Sequence, residues 1–269
     1  MQDSNKQHFV ESYVFDNAGA EASARFLALT TVFDPGTIRH LENLGAGPGW
    51  HCLEVGGGGG SIAAWLAKRV APNGHVLVTD IDTRFIKSMN LPNVEVRRHN
   101  IATDPLPEAA FDLVHSRLVL LHVPEREKAL ARMVAALRPG GWLIDEEFDA
   151  STSPDPSMSR GEALLKTHTA MTQIMADRSV NRDFGRQLFG LLRAYGLSDV
   201  GADGRTFIWS AGSAGLSLTR ANYEQLRSAM IGAGYITEEE FKQDMARLDN
   251  PSFIMPSPIL WSAWGRRPE

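Results

Sequence analysis

The chain has 269 residues, 43% hydrophobic and 22% charged, values of an ordinary globular protein that exclude a disordered or fibrous one. One large or two modest domains fit this length. A net charge of -5 with a pI near 5.9 disfavours a surface made to neutralise nucleic-acid phosphates, and the single cysteine, Cys52, excludes a disulfide framework or a multi-cysteine metal site.

The opening M-Q-D-S-N-K-Q-H has neither the basic start nor the apolar core of a secretory signal. The apolar run from Leu113 to Val123 is interrupted by His115, Ser116 and Arg117 and is too short to span a bilayer. A cytoplasmic protein is expected, without membrane, nucleic-acid or metal partners. Ala22, Phe26, Leu29 and Phe33 recur at helical spacing, and Ile38, Leu41 and Leu44 predict a second helix after an Asp34-Pro35-Gly36 break. His51 to Val55 then reads as a strand running into five glycines, Gly56 to Gly60, after which Ile62, Trp65, Leu66 and Val70 share one helical face. The glycines thus form a strand-to-helix turn, where positive φ and close backbone approach favour glycine and the helix N-terminus offers unpaired N–H groups. A dinucleotide fingerprint needs G-x-G-x-x-G, but Ser61 or Ile62 stands at its last position. The spacing present is acidic-x-G-x-G-x-G, on Glu54, Gly56, Gly58 and Gly60. In this the sequence resembles the class I S-adenosylmethionine-dependent methyltransferases, in their small-molecule, UbiE-like (methyltransferase type 11-12) group.

His75 to Thr79 reads as a buried strand ending at Asp80, about twenty residues past the glycines, where a carboxylate accepts ribose hydroxyls. Asp82 is expected to cap a following helix, and Ile81 to offer an apolar surface to the adenine. Val94 to His99 is a third strand. At its end the resemblance implies an adenine-binding pair, Asn100 and Ile101, with an amide where family members often have a carboxylate. Phe111 to His115 is the fourth strand, and Ser116-Arg117 follows where the family holds the methionine moiety or the acceptor. Pro124 opens a helix, and the L-R-P-G-G run from Leu137 to Gly141 leads into a fifth strand, Trp142 to Glu146, a further motif of the same family.

The resemblance covers roughly residues 45 to 150 and implies an α/β, Rossmann-like, doubly wound sheet of order 3-2-1-4-5-7-6 with an antiparallel last strand. Residues 1–45 are expected to form a helical segment over the cofactor, with Tyr13, Glu21 and Arg25 as polar contacts, and 46–150 the cofactor-binding core. A breaker-rich loop and a helix from about Glu162 form a cap insertion, 151–180. Residues 181–269 complete the sheet as part of one domain overall, with strands at Arg205 to Ser210 and Pro258 to Arg266. Between them lies a second helical insertion, about 211–257, in which Thr237 and Glu240 form a capping box.

The function expected is methyl transfer from S-adenosylmethionine to a small acceptor, of quinone or secondary-metabolite type, by a monomer or homodimer. Glu146, Glu147, His122 and His168 are candidate bases. Phe148, Met158, Met171, Met175, Met230, Met255, Trp209 and Trp261 suggest an apolar acceptor chamber. Two other readings stay open: a protein that binds the cofactor for regulation or rearrangement without transferring methyl, and an NAD(P)-dependent oxidoreductase.

Overall fold

In the computed structural model, the described residues are 15, 22–150 and 165–269. Tyr13, Glu21 and Met158 lie outside them. Among the described residues are nine strands: β1 (His51–Val55), β2 (His75–Asp80), β3 (Val94–Arg98), β4 (Phe111–Arg117), β5 (Leu137–Asp149), β6 (Ser198–Arg205), β7 (Ile208–Ser210), β8 (Ile254–Pro256) and β9 (Ile259–Arg266). Seven of them form one sheet of order β3-β2-β1-β4-β5-β9-β6, while β7 and β8 make a separate antiparallel ribbon. β1 to β5 are parallel and β9 runs antiparallel to β6, so the expected order stands with β9 in the seventh place.

Two compact units divide the chain. The first comprises 33–149, 183–205 and 260–269 and holds nearly all of the sheet; the second comprises 1–32, 150–182 and 206–259. In the sheet unit, α2 (Ser61–Val70) packs Ile62, Ala63, Leu66 and Val70 on Cys52, Val76, Val78 and Leu113, and Leu41 joins the same cluster. α3 (Arg126–Ala136) packs against β4 and β5 through the buried Leu130 and Met133. Right-handed crossovers from a sheet whose strand order reverses at β1 place these two helices on opposite faces. In the helical unit, α4 (Lys166–Asp177), α6 (Ala214–Gly232) and α7 (Glu238–Leu248) contact one another, and α7 opens on the expected capping box of Thr237 and Glu240. The sheet unit also contains α5 (Leu188–Ala194).

Three local expectations are corrected. The Asp34-Pro35-Gly36 break does not occur: α1 runs unbroken over Ala22–Asn43 with Pro35 inside it. Gly36 has a packing reason to be there: a Cβ would lie 1.0 Å from Nη1 of Arg205. Residues after Asp82 form turns rather than a helix, and Asp82 accepts the Arg84 N–H at 3.1 Å. The sixth strand is Ser198–Arg205 rather than Arg205 to Ser210. Its glycines and aspartates hide the pattern, and Gly201 is required because the Trp264 indole fills its Cβ position at 2.5 Å.

Candidate active site

The glycine turn has the backbone its composition demands, with φ of +71° at Gly56, +51° at Gly58 and +81° at Gly60. Gly56 and Gly57 both donate to the Thr79 carbonyl, at 2.7 and 3.0 Å, which ties the turn to β2. Added Cβ atoms at Gly56, Gly57 and Gly60 would lie 2.3 to 2.4 Å from Val119, Val78 and Met89. Those three glycines are therefore fixed by the protein's own packing. Gly58 N–H instead donates to Asp80 Oδ2 at 2.9 Å, and Asp82 N–H donates to Oδ1 at 2.9 Å. Each oxygen keeps a second lone pair. Burial raises the Asp80 pKa, and the N–H groups of Asp82 and Gly58 oppose the rise. Gly60 precedes α2 without any side-chain cap, leaving the helix's first N–H groups for a ligand. A buried carboxylate with spare lone pairs beside a glycine turn and an uncapped helix start is a donor set that fits S-adenosylmethionine.

Asn100 sits at the end of β3, where its Oδ1 accepts the Ala102 N–H at 2.9 Å and its own N–H donates to Asp104. Ile101 is buried and Ile81 half-buried. Ser116 and Arg117 are already engaged: Ser116 donates to Asp145, while Arg117 reaches Thr37 at 2.9 Å and Asp34 at 2.8 Å.

The run Asp145-Glu146-Glu147 lies on a strand, so its side chains alternate between faces. On the α2 face, Glu146 accepts from Thr37 and Ser262 and from Arg205 at 2.9 Å. His115 stands 3.6 Å from Glu146 through Nε2 and donates Nδ1–H to Glu54 at 2.6 Å. The buried His115 would lose its proton to desolvation, but Glu54 and Glu146 outweigh this and raise its pKa to about 9. Glu146 is likewise desolvated, yet His115 and Arg117 hold it at about 2. Glu54 is thus half of a buried ion pair, and Glu146 is an anion ill suited to accept a proton.

On the other face, Glu147 Oε1 accepts the N–H groups of Val119 at 3.0 Å and Leu120 at 2.6 Å, while its Oε2 and Asp145 Oδ2 lack hydrogen bonds. Desolvation and then the Asp145 charge raise Glu147 well above the usual carboxylate range, and desolvation lifts Asp145 to about 7 against Ser116 and His115. An acid whose pKa rises on folding loses stability as pH climbs from its unfolded value through its folded one. Asp145→Asn, which keeps the Ser116 partner, should therefore gain roughly 1–3 kcal/mol at pH 8 and almost nothing at pH 4. Urea unfolding at both pH values checks this, and an equal gain at each would contradict it.

His122 is buried in a 3-10 turn, Leu120–His122. His168 and Arg25 belong to the helical unit. His168 Nδ1 lies 3.1 Å from the Tyr223 hydroxyl, and burial, with the Arg182 charge, lowers its pKa to about 4. Arg25 is buried, its Nε on Asn222 at 3.0 Å and its guanidinium 4.3 Å above the Phe15 ring. Met171, Met175, Met230, Met255 and Trp209 are all buried in this unit. Phe148 and Trp261 are half-buried in the sheet unit. Sequence reasoning missed His115, Arg205, Thr37 and Ser262 as one cluster. Only strand register, which pairs Glu54 with His115 and Arg117 with Glu146, brings it together. No helix among the described residues is long and apolar enough to cross a membrane.

Residues 53–145 match the methyltransferase domain family model. Methyltransferase str3 of Strobilurus tenacellus is 30% identical over 144 residues, 53% of this chain and 50% of the relative. The ubiquinone/menaquinone biosynthesis C-methyltransferase UbiE of Vibrio vulnificus is 33% identical over 116 residues, 40% of this chain and 45% of the relative. The chain spans about half the length of the curated relatives it matches. Among solved structures, Haemonchus contortus phosphoethanolamine N-methyltransferase 2, in complex with phosphomonomethylethanolamine and S-adenosylhomocysteine, superposes with a TM-score of 0.59 at 13% identity. It covers 93% of this chain and 58% of its own, a likeness of fold. The matched domain begins in the strand that feeds the glycine turn and ends in β5, so it is the glycine-turn half of the sheet that matches the methyltransferase domain family.

Proposed function

We propose that this chain transfers a methyl group from S-adenosylmethionine to a small, largely apolar acceptor of quinone or secondary-metabolite type. The observation that supports it best is the clasp between Gly58 and Asp80, which holds a carboxylate with spare lone pairs beside the glycine turn. Asp80 takes the ribose hydroxyls, Ile81 and Ile101 flank the adenine, and the Asn100 side chain meets its amino group. The turn at Gly56, Gly58 and Gly60, with the open N-terminus of α2, faces the remainder. When bound, the cofactor supplies an electrophilic methyl on a sulfonium. The protein's part is then to orient the acceptor and exclude water, which accounts for much of the acceleration in such displacements. Arg117 and Glu146 hold the strand ends through their ion pairs, and no base is required of Glu146.

UbiE is named for quinone biosynthesis, and that name supports a quinone-type acceptor here. The net charge of -5 suits a neutral small molecule better than a nucleic acid. We assign the protein to the cytoplasm as a monomer or homodimer. The test is incubation with methyl-labelled S-adenosylmethionine and a panel of quinols, phenols, amines, RNA and protein. Label on a quinol or phenol is expected. Label confined to RNA or protein would overturn the acceptor class, and cofactor binding with no transfer to any acceptor would favour the non-transferring role.

A further inference from the structure

The segment that follows β4 has an unusual backbone. Leu118, a γ-branched residue with no glycine's freedom, stands at φ +57°, a left-handed conformation that is strained for such a side chain and persists only when its surroundings hold it. Two consecutive residues of β5 do the holding. The Glu146 carbonyl accepts the Leu118 N–H at 2.8 Å, and the Glu147 carboxylate accepts the next two N–H groups, of Val119 and Leu120, with one oxygen. The turn is thus clamped by three hydrogen bonds to one neighbouring strand, two of them from a fully buried acidic side chain. What the clamp fixes is Val119. Its Cγ2 fills the place that a Cβ on Gly56 would take, 2.3 Å away, so the Val119 side chain lies directly on the first glycine of the turn.

We infer that Glu147 is a positioning residue for cofactor binding: through the N–H groups of Val119 and Leu120 it seats Val119 against Gly56 and so fixes the shape of the glycine turn. This rests on the glycine turn being the cofactor's cradle, as proposed above. Glu147 itself touches no reacting atom; it acts through backbone and one side chain. A carboxylate suits the place because one oxygen can receive two converging N–H groups, and an amide oxygen at the same position does so equally. A hydrocarbon side chain of similar size leaves both donors buried without a partner, and the turn then relaxes from its left-handed residue.

The test uses calorimetric titration of S-adenosylhomocysteine into the full chain, a binding measurement that needs no acceptor, with thermal unfolding alongside. Glu147→Gln should bind within about threefold of the parent. Glu147→Leu should bind at least tenfold more weakly while still unfolding cooperatively. Val119→Ala should weaken binding by a similar factor, and Val119→Ala in the Glu147→Leu background should add little, since both changes free the same contact. If Glu147→Leu and Val119→Ala multiply their losses independently, or if folded Glu147→Leu keeps parental affinity, the inference is wrong. Equal losses in the Gln and Leu variants would also overturn it, because the carboxylate's charge would then matter and its clamp would not. Should Glu147→Leu fail to fold, Val119→Ala decides alone: parental affinity in it removes the link from β5 to the turn. Failure of the parent chain itself to bind S-adenosylhomocysteine would instead refute the cofactor assignment on which all of this stands.

Discussion

Glu146→Ala should cost the protein about 3–5 kcal/mol of stability, read as a fall in the denaturant midpoint. The carboxylate is the common anion of a buried set: Thr37, Ser262 and Arg205 bond to it, and the His115 imidazolium lies 3.6 Å away. Deleting it takes the buried counter-charge from Arg205 and leaves the His115 cation with Glu54 alone, the costly half of a broken ion pair. Glu146→Gln should cost less, because an amide oxygen still accepts from Thr37 and Ser262. The pH dependence has a definite sign. His115, raised to about 9, contributes in full below its unfolded value near 6.5 and loses that contribution as pH rises through 9. Glu146, depressed to about 2, contributes in full above 4.5 and loses it as pH falls through 2. The penalty of Glu146→Ala should therefore be greatest between pH 4.5 and 6.5 and smaller at pH 10. A loss below 1 kcal/mol at pH 6 would show that the network is merely a neutral replacement for hydrocarbon.

The second large effect concerns affinity. Asp80→Ala should weaken S-adenosylhomocysteine by roughly ten- to a hundredfold, about 1.5–3 kcal/mol, since charge-assisted bonds to a diol are among the stronger ones. Asp80 also holds the Gly58 and Asp82 N–H groups, so the alanine variant loosens the turn as well as removing the acceptor. Asp80→Asn separates the two: it keeps an oxygen for one N–H, preserves the fold and should still lose most of the affinity. Unchanged affinity in folded Asn and Ala variants would remove Asp80 from the site.

Much of this architecture is legible in the chain. Strands β1 to β5 announce themselves through apolar runs, the glycine turn by its spacing, and Asp80 by its distance from it, because each of these is a local pattern with one structural solution. The failures are tertiary. Pro35 and Gly36 carry the chemistry of a break, but the guanidinium of Arg205 occupies the room that Gly36 leaves, and packing overrides propensity. β6 is invisible because Gly201 answers to the Trp264 indole that fills its Cβ position, not to strand preference. Glu146 and Glu147 look alike in sequence as candidate bases. Alternation on β5 sends them to opposite faces, one into an ion pair held near 2 and the other onto backbone N–H groups with its pKa raised.

The sheet's order has a consequence for how the molecule is made. β9, seated between β5 and β6, leaves the ribosome after every strand it joins. Until it arrives, β5 presents an open edge and β6 has no neighbour in the sheet, although both are already translated. Glu146 meanwhile lacks Ser262, which β9 carries. A nascent chain halted before residue 259 should thus expose a long strand edge with unpaired backbone groups, the kind of surface that chaperones capture and that pairs wrongly with another chain. Synthesis of β9, rather than of the glycine turn, is then the event that closes the sheet between β5 and β6.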